Sequence, residues 1–188
     1  MKTDVYTQVD GIEKILSAAE RTGEFNELSA QDTMKLRLLT EELLGLTVRL
    51  FDKLKYKFFI EKEGRLFTLY LSVDAQVEHY QRTKLLSLSS DNENIAEKGI
   101  LNKISMIFEN IFNCATNNVP FASTSMPIYG NEGANQYFSL TNYRNQIPEK
   151  EREAEWDGLE KSIIAQMTDD VKIGVRNENV EVIATITF

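Results

Sequence analysis

One cysteine, Cys114, and one histidine, His79, serve the whole chain of 188 residues. An intrachain disulfide is therefore excluded, as is any zinc site assembled from several Cys and His ligands. A Cys/His or Ser/His catalytic pair would depend on these lone residues. Cys114 ends an apolar helical pattern beside an Asn-rich stretch, with no sign of an activated thiol. His79 sits in the polar context QVEHYQR, where a solvated imidazole is the default. Neither receives a role. Positive charge is also scarce, with 21 Lys and Arg against 29 Asp and Glu and a formal charge of −8. No basic run could release counterions from a phosphate backbone, so nucleic acid and anionic membrane are not expected partners. No apolar run reaches the roughly 20 residues needed to span a bilayer. The opening MKTDVYTQVD has neither the charged region nor the apolar core of a leader, and a cytoplasmic location is expected. Walker A, GxGxxG, HExxH, GxSxG and EF-hand patterns are all missing.

What is present is an ordinary globular composition, 42% hydrophobic and 27% charged, in a length that suits a single domain over 1–188. Asp10 and Glu13 have the form of a helix capping box, followed by Ile12, Ile15, Leu16 and Ala19 at helical spacing as far as Gly23. Ser29 and Asp32 open a second, longer helix whose face carries Leu36, Leu39, Leu43, Leu46, Leu50 and Leu54. Met34, Leu38, Leu44, Val48 and Phe51 widen that stripe, which implies cover on more than one side and leaves a homodimer interface open.

Alternation then replaces the helical period. Tyr56, Phe58 and Ile60 face one way, Glu63-Gly64 turns the chain, and Phe67, Leu69, Leu71 and Val73 continue a β-hairpin. The aromatic residues of this hairpin lack accompanying positive charge and are expected in the sheet core. Residues 76–94 are weakly patterned, and Ile100, Leu101, Ile104, Ile107, Phe108 and Ile111 restore a helical face. Periodicity is lost from 114 to 148, a stretch that holds all three prolines and reads as one long irregular loop, either a lid or a surface insertion. The closing EKEREAEWDGLEKSIIAQM predicts a helix with Trp156, Leu159, Ile163 and Met167 on one face. A last hairpin runs through Val171, Ile173 and Val175, turns at RNEN, and alternates from Val180 to Phe188. This order predicts an α+β fold, a two-layer α/β sandwich with a mainly antiparallel sheet and helices on one face.

Three segments resemble the histidine-kinase-like ATPases, the GHKL family, and especially their anti-sigma-factor serine-kinase branch. LRLLTEELLGLTVRLFD is similar to that branch's long helix, LSVDA to the strand end that sets an Asp against adenine, and WDGLEKSIIAQMTDD onward to the last helix and strands. The resemblance implies Glu42 as the catalytic residue that orients or activates water, and Asp74 as the adenine partner. It implies Gly99, after Lys98, as a remnant of the phosphate loop, in competition with Gly130 and Gly133. ATP or ADP is the implied ligand. Departures are equally specific. The family's metal-holding Asn, four residues after Glu42, falls on Leu46, and its His falls on Leu50. Leucine has no lone pair for Mg²⁺, which requires octahedral oxygen coordination. Read without the family, Glu42 is a solvated helix residue or a partner of Arg49 or Lys35, and Asp74 an ordinary strand terminator.

The expectation is a regulatory or partner-binding protein with a degenerate ATPase fold, its partner a regulatory protein. Two alternatives stand beside it. One is an active ATP-dependent serine kinase with metal ligands drawn from Asn117, Asn118, Asn131 and Asn135. The other is a small-molecule or peptide-binding module closed by the 114–148 loop.

Overall fold

The computed structural model describes residues 1–7, 10–50, 56–74, 128–129, 136–146, 163–176 and 179–188. In chain order these form β1 (Tyr6–Thr7), α1 (Ile12–Phe25), α2 (Ala30–Leu50), β2 (Tyr56–Glu63), β3 (Leu66–Asp74), β4 (Ile128–Tyr129) and β5 (Gln136–Ser139). They continue as α3 (Leu140–Gln146), α4 (Ile163–Met167), β6 (Asp170–Arg176) and β7 (Asn179–Thr187). The expected α+β class is what is observed.

Among the described residues seven strands form one sheet in the order β1-β2-β3-β7-β6-β5-β4, each pairing antiparallel. Both predicted hairpins form. In the first, Tyr56 lies opposite Val73 and Glu63 opposite Leu66. The two-residue turn between them needs a positive φ at its first position, which Gly64 supplies at 60°. In the second, Arg176 pairs with Asn179, the first and last residues of the RNEN segment.

Register decides which residues are buried. Residues opposite one another share a face, so Phe58, Leu71, Val182 and Ile173 form one row, and Ile60, Leu69, Ala184 and Val171 the next. All eight are buried and join Ile15 and Ala19 of α1, Leu36, Leu39, Leu43 and Leu44 of α2, and Ile164 of α4 in a single apolar cluster. Each large side chain so buried contributes roughly 1.5–3 kcal/mol of transfer free energy. α2 lies at the middle of this layer, touching α1, α4 and β3. Of the residues expected to widen its stripe, Leu44 is buried but Met34 is 61% exposed. Three of the five hairpin aromatics, Tyr56, Phe58 and Phe67, are in the core as expected. Phe59 and Tyr70 point to the opposite face and stack there, ring centroids 4.6 Å apart.

Three local readings are corrected. Asp10 does not cap α1: Gly11, at φ 80°, stands between them as the N-cap residue without a side-chain bond. The Asp10 carboxylate turns back and accepts from the Thr7 backbone N–H at 2.8 Å and from Lys14 at 2.6 Å. α1 also runs past Gly23 to Phe25 and ends with Glu27 in the left-handed region, where the Leu28 N–H reaches the Gly23 carbonyl. The irregular stretch at 114–148 contains β4, β5 and α3 among its described residues. Such short elements, among Asn and Ser residues, leave no period to detect. The predicted start of α2 does form, with Ser29 accepting from the Asp32 N–H at 3.1 Å and donating to its carboxylate at 2.7 Å.

Candidate functional site

Glu42 lies in the second half of α2, half-buried, beside the fully buried Leu43 and Leu44. It makes no ion pair with a described residue. Lys35, one of its two expected alternative partners, is committed to Asp32 at 3.1 Å. Asp74 is the last residue of β3 and pairs across the ladder with Asn179, the first residue of β7. It therefore stands at one end of the two central strands. Tyr56 opens β2 at that same end, opposite Val73.

Connectivity relates the two positions. α2 ends at Leu50 and β2 begins at Tyr56, so a six-residue step brings the helix end within about 20 Å of the Asp74 end of the sheet. Glu42 is eight residues before that helix end, about 12 Å along the axis. The chain therefore ties the end of α2, rather than Glu42 itself, to the Asp74 end of the sheet. Leu46 continues α2 one turn beyond Glu42. Gly99, Gly130 and Gly133 lie outside the described residues, as do His79, Cys114 and the four Asn residues named as alternative metal ligands. Among the described residues no group of three or more His, Cys, Asp or Glu is arranged to hold a metal ion.

A second polar cluster escaped the sequence reading. Ser139 ends β5 and is buried, although it is polar. Its hydroxyl lies 3.0 Å from both carboxylate oxygens of Asp170 and accepts the Asn142 N–H at 3.2 Å. The Asp170 carboxylate also accepts the Thr141 N–H at 3.1 Å. These bonds satisfy free donors in the first turn of α3 and tie it to β6. Because the Ser139 oxygen is engaged on both sides, the cluster serves as a cap and a strand-to-helix clasp. Alongside it, Asp169 accepts from the Thr187 hydroxyl at 2.7 Å, and its carbonyl accepts from Thr141. The signal was the Ser-Leu-Thr-Asn start of α3, hidden because its capping carboxylate comes from a strand some 30 residues later rather than from the same turn.

The outer face of the sheet carries mixed chemistry. Lys2 stands over the Phe59 ring, its ammonium 3.6 Å from the centroid, and lies 3.6 Å from Glu61. Tyr70, stacked on Phe59, has its phenol pushed above the usual range, first by burial and then by the Glu61 carboxylate. Further along, the Tyr137 hydroxyl donates to Glu181 at 2.7 Å. Among the described residues no helix is long and apolar enough to cross a membrane. No protein-family model matches the chain, and no curated protein or solved structure matches it either.

Proposed function

We propose that the chain is a cytoplasmic regulatory protein that binds a partner protein through a histidine-kinase-like ATPase fold and has lost metal-dependent phosphoryl transfer. The observation that carries this reading is Leu46, one helical turn after Glu42, where the resembling family holds Mg²⁺ with an Asn side chain. An apolar side chain cannot replace that oxygen ligand, so the cation that would neutralise the phosphates has no grip on α2. Further support comes from the succession of a long helix, a hairpin ending in Asp74, and a late helix leading into a second hairpin. Asp74, the residue set against adenine in this reading, is retained at the end of β3, so adenine recognition can outlast the lost chemistry. ATP or ADP is the ligand class, bound without assistance from Mg²⁺.

Calorimetric titration with ATP and ADP, each with and without Mg²⁺, tests the proposal. The expected result is an affinity that Mg²⁺ does not improve, weakened in Asp74→Ala, with no hydrolysis in a parallel phosphate-release assay. Mg²⁺-dependent hydrolysis abolished by Glu42→Ala would overturn it and restore the serine-kinase reading.

A further inference from the structure

The outer edge of β2 is covered by the chain's own first residues. Lys2 bridges to Glu61, the Thr3 N–H donates to the Ile60 carbonyl at 2.9 Å, and the Thr3 hydroxyl accepts the Ile60 N–H at 2.8 Å. Tyr6 and Thr7 then pair with Phe58 and Lys57. The arm satisfies the donors and acceptors of an edge strand, yet buries little of its own. Val5 is 50% exposed, and Tyr6 is the arm's one side chain packed on the core. Its ion pair is exposed and worth at most about 1 kcal/mol. The arm's base is latched by Asp10, which holds the Thr7 N–H and hydroxyl, and Gly11 at φ 80° follows as a natural hinge.

We propose that this edge of β2 is a strand-docking site for an extended segment of a partner protein, which the arm occupies in the free chain. This rests on the partner-binding reading above and names its surface. The chemistry of the occupant follows from the arm's contacts. A Lys or Arg fits the paired Phe59 ring and Glu61 carboxylate. A Ser or Thr comes next, to accept the Ile60 N–H, and an aromatic residue three positions later takes the place of Tyr6. Main-chain bonds to the edge supply affinity, and the alternating side chains supply selection. The arm competes as a tethered ligand, so loosening its latch raises the apparent affinity for a segment in trans.

The test uses a fluorescently labelled peptide KTDVYT, the sequence of residues 2–7, titrated by anisotropy into the full chain. Asp10→Ala, and separately Lys2→Glu, is expected to bind it at least about tenfold more tightly than the wild type does. A Lys2→Cys/Glu61→Cys chain in a Cys114→Ser background, oxidised to fasten the arm, lacks the Glu61 carboxylate and is compared with its own reduced form. It is expected not to bind until reduced, and then more weakly than the loosened variants. Absence of binding to both loosened variants, or equal binding by the oxidised and reduced forms of the fastened chain, would overturn the proposal. The nucleotide titration does not involve this edge, so either failure is read without the other.

Discussion

Asp10 and Asp32 do similar work by different means. The Asp10 carboxylate is held below its ordinary range chiefly by the Lys14 ammonium and then by the Thr7 N–H, and Asp32 by the Ser29 hydroxyl and then Lys35. For both, the folded-state pKa is depressed, so the ionised form is favoured by folding. Their stabilisation is complete above the unfolded value, near 4, and is lost as pH falls through the folded one. Thermal melts are therefore expected to be flat near neutrality and to drop in Tm below about pH 4. Asp32→Asn is expected to shrink that drop, and a variant with an undiminished acid limb would refute the assignment. Lys14, whose own affinity for protons is raised chiefly by Asp10, stays charged throughout this window. The carboxylate side alone titrates.

The crossing of α1 and α2 depends on an absent side chain. A Cβ at Gly23 would meet Thr33 Oγ1 at 2.7 Å and Cγ2 at 2.9 Å. In an open helix Gly→Ala gains about 0.5–1 kcal/mol, but here the added methyl presses on a short, branched residue with little freedom to move. Gly23→Ala is expected to lower stability by about 1–3 kcal/mol, and Gly23→Ala/Thr33→Ala to recover much of the loss in urea unfolding. Additive losses would place the strain elsewhere. The sequence suggested Gly23 as the end of α1, because glycine often marks that place; the packing role shows only when α2 is laid against it. Long periodic elements such as α2 and the two hairpins were legible because many residues repeat one pattern. β1 and β4, two residues each, are too short for any period and exist through pairing with a neighbour. Glu42 and Asp74 are candidates through family resemblance alone, with no chemical pattern of their own. The Ser139–Asp170 clasp was invisible because its partners meet only after the sheet assembles.

At the scale of the molecule, residues of one sheet face and of α1, α2 and α4 share a single core. Leu69 is fully buried between Ile60 and Ala184, with α2 above the sheet. Leu69→Ala is expected to cost about 2–5 kcal/mol, a large part of the roughly 5–15 kcal/mol that holds a domain folded. It should do so in one cooperative transition by fluorescence and circular dichroism alike. Separate transitions by the two probes would divide the core. Strand order was beyond sequence reading, since nothing in the alternation of β7 says that it pairs with β3 as well as with its hairpin partner. That central place, between β3 and β6, makes β7, the last of the described strands, the seam of the sheet. A ribosome working at 5–20 residues per second needs about 5–20 s to pass from Asp74 to Asn179. For that interval the nascent β2–β3 hairpin offers an apolar, unpaired edge to whatever is nearby, which makes it a natural client for chaperones during synthesis.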